Sequence, residues 1–180
     1  MTDRFRSGAG RPCLDFIRTL RYRGTAEERE ELPDAAAWGA WIDQLGPFSS
    51  PVRPSSTDVD DARAVREAIR ALLTGQVPEP VRRRLNRYAA VPVPAPSLTP
   101  SGELRWQAAD PASAMLALLV RDALDLATSA EFARVRRCAG PRCGALFLDT
   151  SRPGTRRWCS MEICGNHAKK STYRAKESAR

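Results

Sequence analysis

The chain has 180 residues, of which 42% are hydrophobic, and a formal net charge of +8. This length suits one generous domain, or one domain with a small appendage, and the apolar content is sufficient for a folded core. No stretch approaches the ~20 apolar residues of a membrane span, so a membrane-spanning protein is not expected. The N-terminus has no apolar signal region, which predicts a cytoplasmic location.

The larger part of the chain predicts helices joined by polar or proline-rich loops. Asp34 is a suitable N-cap, and Trp38, Trp41 and Ile42 follow it at helical spacing. The predicted helices are Asp34 to Leu45 with a stop at Gly46, Thr57 or Asp58 to Gly75, Asp110-Pro111 to about Ser129, and two shorter ones over residues 14–20 and 81–89. The helix after Pro111 is apolar enough to be the central one.

Two proline-rich segments cannot form regular helices, residues 45–56 and residues 91–100. Ser101-Gly102 is followed by Leu104 and Trp106 in alternation, which predicts one small β-hairpin. We therefore expect a mainly α protein, with a helical N-terminal body that carries this hairpin.

Positive charge is concentrated at the end of the chain. Residues 134–180 carry 12 Arg or Lys and 3 Asp or Glu, a net charge of +9, and the remaining 17 basic and 18 acidic side chains give residues 1–133 a net charge of −1. This asymmetry indicates a polyanionic partner for the basic part. It also predicts two domains, 1–133 and 134–180.

Four of the five cysteines lie in that basic part, as two pairs that each end in glycine. The pairs are Cys138 with Cys143 and Gly144, and Cys159 with Cys164 and Gly165. Zinc takes four thiolates at the corners of a tetrahedron, and a glycine after each pair tolerates the positive φ of a tight turn around the metal. The pattern predicts one structural Zn²⁺, with buried free cysteines, a disulfide or an iron–sulfur cluster as alternatives. A catalytic zinc would need an open position.

The residues between and after the pairs predict a treble-clef-like zinc finger with four cysteine ligands. Residues 144–149 have a strand's composition, 151–154 a turn's, and 156–158 would return as the second strand of a hairpin. A basic helix follows Gly165. His167 lies on it and is an alternative ligand, although we expect a surface role. The predicted nucleic-acid contacts are Arg152, Arg156, Arg157, Asn166, His167, Lys169, Lys170, Tyr173, Arg174 and Lys176.

These residues carry a family resemblance. Phe147-Leu-Asp-Thr-Ser-Arg152, Arg156-Arg-Trp-Cys-Ser-Met161 and Cys164-Gly-Asn resemble the CGNR zinc finger, and Cys13-Leu-Asp-Phe-Ile-Arg-Thr-Leu20 is similar to the start of the ABATE domain that accompanies it. The resemblance implies a bacterial, stress-related transcription regulator with zinc on the four cysteines. The Gly and Asn of the signature fall on Gly165 and Asn166, and its Arg is replaced by His167.

The sequence thus favours a regulator that binds double-stranded DNA through the finger, with the helical body as sensor or dimerisation unit. A zinc-scaffolded protein-interaction or RNA-binding adaptor is the alternative. An enzyme is not expected, because the sequence shows no nucleophile–base pair and no phosphate loop. A homodimer formed through the helical body and a small-molecule effector bound by it are both compatible with the sequence. Trp38, Trp41 and Trp106 would line the effector pocket or, more simply, belong to the hydrophobic core. Cys13 is expected to be buried, with redox sensing as a weaker alternative.

Overall fold

A computed structural model describes residues 4–170 of the chain. Its helices are α1 Pro12–Ile17, α2 Ala35–Leu45, α3 Ser56–Leu73, α4 Glu79–Ala89 and α5 Pro111–Thr128. Its strands pair antiparallel, β1 Leu20–Arg21 with β2 Arg29–Glu30, β3 Ala95–Leu98 with β4 Leu104–Gln107, and β5 Val135–Arg137 with β6 Leu146–Leu148. The mainly α class is confirmed. Tyr173, Arg174 and Lys176 lie outside the described residues.

Two helix starts follow their predicted caps. The Asp34 carboxylate accepts the Ala37 N–H at 2.7 Å at the start of α2. Asp110 does the same for the Ser113 N–H at 3.1 Å, and Pro111 occupies the first turn of α5. Each carboxylate satisfies a backbone donor that the helix cannot pair internally.

The start of α3 differs from the prediction by one or two residues. Ser55 is the cap, and its hydroxyl accepts the Asp58 N–H at 3.2 Å. The Asp58 carboxylate reaches back and accepts the Ser55 N–H at 2.6 Å. This reciprocal capping box makes Asp58 the third helical residue rather than the cap, so the helix begins at Ser56 instead of Thr57 or Asp58.

The end of α1 also differs from the prediction. α1 stops at Ile17, before the predicted end at residue 20, because the chain turns at Arg18 and enters β1 at Leu20. The β1–β2 pair was not predicted, since two-residue strands are too short to show a period of two. The predicted hairpin is confirmed as β3–β4, in which Leu98 pairs with Leu104.

The core lies between α1, α2, α3 and α5. Helix α5 is central, as predicted, and residues such as Leu119 and Val120 on it are fully buried. The rings of Phe16, Trp38 and Trp41 pack together with centroids 5.3–5.5 Å apart. No helix within residues 4–170 is long and apolar enough to cross a membrane.

The hairpin of the cysteine-rich part forms between strands other than those predicted. β6 pairs with β5, which precedes Cys138, and not with residues 156–158. The chain reverses directly through the first cysteine pair, where the Cys138 N–H donates to the Ala145 carbonyl at 2.8 Å. Buried Asp149 holds residues 151–156 in a loop instead, because its carboxylate accepts the Ser151 hydroxyl at 2.6 Å and the Arg156 N–H at 2.8 Å.

Candidate metal centre and basic surface

The four cysteine sulfurs of the finger converge on one point. The Sγ atoms of Cys138, Cys143, Cys159 and Cys164 all lie within 4.8 Å of one another. The Cys143–Cys159 and Cys159–Cys164 sulfurs are 3.6 and 3.7 Å apart. A tetrahedron with zinc–sulfur bonds of about 2.3 Å has sulfur–sulfur edges of about 3.8 Å. The cluster therefore has the dimensions of a four-coordinate zinc site, and these separations exclude a disulfide.

The two cysteine pairs are positioned by different backbone turns. Gly144 has a φ of +57°, the left-handed conformation predicted for a glycine after the pair. Gly165 does not, because the second pair ends in a π-helical turn, Met161–Gly165. A Cβ at Gly165 would lie 2.9 Å from the Met161 Sδ atom, the far part of a flexible and exposed side chain that can move aside. The expected positive φ is wrong for Gly165.

The cluster concentrates negative charge in a way that a divalent cation would offset. Hydrogen bonds from Cys143 and Cys159 hold the pKa of Cys138 well below its usual range, so Cys138 is a thiolate. Burial, followed by the charges of Cys143 and Cys138, raises the pKa of Cys164 to about 12. Binding of Zn²⁺ would release the remaining protons and couple metal affinity to pH.

The remaining candidate ligands lie apart from the four cysteines. His167 is exposed, and the metal-sized cluster within residues 4–170 does not include it. Cys13 is fully buried beside α5, where its N–H donates to the Asp122 carboxylate at 2.8 Å. Burial raises the pKa of the Cys13 thiol, so this cysteine is protonated and poorly reactive. This environment gives no support to redox sensing.

Four of the predicted nucleic-acid contacts are exposed cations on one small module. Arg152 and Arg157 lie in the loop after β6, and Lys169 and Lys170 lie in the helical segment 166–170 that follows the π-helical turn. The Arg157 guanidinium stacks over the Trp158 ring at 5.1 Å, and Trp158 itself packs against the core. No ion pair within residues 4–170 engages these cations, and the clustered cysteines lie on both sides of the loop that carries Arg152 and Arg157.

Other predicted contacts have structural partners. Half-buried Arg156 donates to the Cys159 carbonyl at 2.9 Å and lies 5.0 Å over the Phe147 ring, so its guanidinium braces the metal turn. The Asn166 amide donates to the Glu162 carbonyl at 2.9 Å. Arg156 and Asn166 therefore both hydrogen-bond to the backbone of the finger around its second cysteine pair. His167 is exposed.

Several exposed arginines were missed by the sequence reasoning. Arg136 and Arg137 lie on β5, directly before the first cysteine, and the alternation of that short strand gave too weak a signal. Helix α4 of the body also carries exposed arginines, Arg82, Arg83, Arg84 and Arg87, which lie apart from the finger in sequence. Their spacing on an amphipathic helix was the available signal.

The three tryptophans considered as pocket lining separate into two groups. Trp38 and Trp41 are core residues, and no acceptor within residues 4–170 takes their indole N–H groups. Half-buried Trp106 instead lines an open cleft of about 530 Å³ together with Phe48 and Arg105. The core alternative therefore holds for Trp38 and Trp41.

Comparison with known families agrees with the geometry. The ABATE family, described as "Putative stress-induced transcription regulator", matches residues 10–130. The CGNR zinc finger family matches residues 134–177. Neither description is that of an enzyme family, and no curated protein matches the chain. The cysteine cluster fits one structural zinc ion. The chain belongs to the ABATE family and carries a CGNR zinc finger after its ABATE domain.

Proposed function

We propose that this protein is a transcription regulator that binds double-stranded DNA through its zinc finger. The observation that carries the proposal is the position of four exposed cations, Arg152, Arg157, Lys169 and Lys170, on the module built around the cysteine cluster. Phosphate contacts by lysine and arginine supply most of the affinity of such proteins. The printed description of the matched ABATE family supports the regulatory role.

In this proposal all four clustered cysteines ligate one zinc ion whose role is structural. The finger is too small to bury a core of its own, and zinc binding would therefore supply part of its folding free energy. In the same proposal His167 and Asn166 face the DNA rather than the metal, and Tyr173, Arg174 and Lys176, which lie outside the described residues, are further DNA contacts. Clustered thiolates persist in a reducing compartment, which supports a cytoplasmic location in a bacterial cell.

We further propose that residues 1–133 form the sensor or dimerisation unit and residues 134–180 the reader. The family matches, which end at residue 130 and begin again at residue 134, support this division. A single finger covers few base pairs, and a dimer held by the body would double the footprint.

The test is duplex DNA affinity as a function of salt, with the full chain loaded with zinc. We expect log affinity to fall against log salt with a slope of about −0.9 for each phosphate contact. Changing Arg152, Arg157, Lys169 and Lys170 together to glutamine should weaken binding. It should also make the slope shallower by about 0.9 for each of these side chains that pairs with a phosphate.

The chain offers a matched control with the same change in charge. Arg82, Arg83, Arg84 and Arg87 on α4 are equally exposed, and their change to glutamine removes four positive charges far from the metal in sequence. We expect this variant to keep most of the affinity and slope. Equal losses in both variants would mean that net charge alone drives binding. Tighter binding to single-stranded RNA than to duplex DNA would favour the adaptor alternative.

A further inference from the structure

A cavity lined by arginines lies where the zinc finger packs against the helical body. The body contributes Arg6, Arg18, Arg21, Arg23 and Arg70 to its wall. The finger closes the other side with residues 143–146 and Cys159. No carboxylate from residues 4–170 lines this cavity. The space open to the centres of water-sized groups in this cavity is about 30 Å³.

The positive charge of this wall is only partly neutralised. Three of the arginines have a carboxylate partner, Arg18 with Asp15 at 3.2 Å, Arg21 with Glu31 at 2.8 Å and Arg23 with Glu67 at 2.7 Å. The guanidinium groups of Arg6 and Arg70 make no hydrogen bond or ion pair with any residue between 4 and 170. The cavity therefore has an excess of positive charge without an acceptor for it on the described part of the protein.

Arg18 is well removed from water, and Arg70 is half-buried. The Arg18 side chain is 7% exposed, and its five N–H donors make a single hydrogen bond, to Asp15. Burial and repulsion from Arg23 hold the pKa of Arg70 below its usual value. Buried donors without acceptors are costly, and a bound anion would remove that cost.

Tyr22, which lines the cavity, has an unusual backbone conformation. Its φ is +53°, and no other non-glycine residue within 4–170 has a positive φ. A bulky residue is disfavoured in this region, and such strain concentrates at ligand sites. Tyr22 and Arg6 also line an adjoining cleft of about 110 Å³, to which Ile163 and His167 of the finger contribute. The arginine cavity and this cleft share Arg6, Tyr22 and Cys143 in their walls, and the two together are called the groove below.

We propose that this groove binds a small phosphomonoester, with its terminal phosphate among the arginines and the rest of the molecule in the cleft beside Tyr22. Guanidinium groups pair with phosphate oxygens through two parallel hydrogen bonds. A DNA phosphate carries a sugar on both sides, so a cavity of this size favours a terminal phosphate that enters end-on. The groove joins body and finger, which places the ligand at the contact between the sensor and the reader.

The zinc cluster is the competing counter-charge, because four thiolates with one Zn²⁺ carry a net charge of −2. Cys143 and Cys159 line the same cavity, but no hydrogen bond joins a cysteine sulfur to Arg70 within residues 4–170. Glu67 already pairs with Arg23 and Arg66. The charge of Arg70 is therefore available to a ligand.

The test is calorimetric titration of the full, zinc-loaded chain with inorganic phosphate and with phenyl phosphate at constant ionic strength. We expect one site, and tighter binding of phenyl phosphate because its ring occupies the cleft. Arg70→Gln should weaken both ligands about tenfold or more, the loss of one charged hydrogen bond. Tyr22→Gly should weaken phenyl phosphate and leave inorganic phosphate unchanged. The control Arg83→Gln, whose ion pair with Glu79 lies exposed on α4, should change neither.

Several results would overturn the proposal. These are the absence of saturable binding of either phosphate to the unaltered chain, and equal affinities in the Arg70→Gln and Arg83→Gln variants. Loss of zinc from the Arg70→Gln variant would assign this arginine to the metal cluster. Weaker duplex binding by the Arg70→Gln variant, without binding of free phosphates, would assign it to DNA. Failure on any of these counts leaves the DNA-binding proposal standing, since that is measured without a phosphomonoester.

Discussion

Arg66 places a charge inside the helical body, and Glu30 neutralises it. The Arg66 side chain is 3% exposed and donates two hydrogen bonds of 2.6 Å to the Glu30 carboxylate. Burial raises the pKa of Glu30, but the hydrogen bonds and charge of Arg66 lower it further, so the net shift is downward. A depressed pKa means that the pair stabilises the fold above the unfolded value of about 4.3 and loses this contribution as pH falls through the folded pKa.

Glu30→Gln should therefore lower the free energy of unfolding by about 2–4 kcal/mol at pH 7, because buried Arg66 would lose its two shortest charged hydrogen bonds and keep only the Glu67 carboxylate at 3.1 Å. Urea unfolding measures this. Glu79→Gln removes an exposed pair with Arg83 on α4 and should cost less than about 0.5 kcal/mol. The difference between the Glu30→Gln variant and the unaltered chain should shrink as pH falls below about 4.3 and through the lower pKa of folded Glu30. Equal costs at the two sites would contradict this account of Arg66.

Among the elements, β6 of the finger and the segment before α1 are in direct backbone contact. The Leu148 N–H donates to the Ala9 carbonyl at 2.8 Å. Gly10 follows with a φ of +96°, and a Cβ there would lie 2.8 Å from the Leu148 Cβ. Glycine is needed at position 10 for two reasons, its tolerance of a positive φ and its lack of a side chain. The finger is thus fastened to the body at a point remote from the metal in sequence.

Gly10→Ala should destabilise the protein by about 2–4 kcal/mol, the sum of backbone strain and overpacking against β6. Gly8→Ala is the matched control, because Gly8 also has a positive φ, +88°, but open space around its Cα. It should cost about 1 kcal/mol, the strain alone. Thermal or urea unfolding of both variants gives the comparison, and equal destabilisation would show that the close approach to Leu148 carries no energy.

Elements with a strong local signal were predictable from the sequence. Asp34 and Asp110 cap their helices as expected, since each cap depends on residues within one turn. The start of α3 was missed because Ser55 and Asp58 act together, and either alone reads as a cap. The partner of β6 was missed because pairing with β5 depends on the metal turn between them, which the strand's composition does not contain.

At the scale of the whole molecule, the metal centre was predictable and the arginine groove was not. The cysteine pairs and the net charge of +9 over residues 134–180 are visible in the sequence because each lies in one short stretch. Arg6, Arg18 and Arg70 come from three separated segments, and only the fold brings them together. Their charges are also hidden in a body of net charge −1, where acidic residues balance them in number but not in position.

The central claim is that a zinc-held finger, and not merely a basic tail, binds DNA. The most direct test is the affinity of the full chain for duplex DNA in three states: loaded with zinc, stripped of zinc and reloaded. The same three measurements are made on a Cys159→Ala variant. We expect affinity to fall at least about tenfold without zinc and to return with the metal, because zinc binding is coupled to folding of the finger. The variant should stay weak throughout. Unchanged affinity of the zinc-free chain would contradict the account.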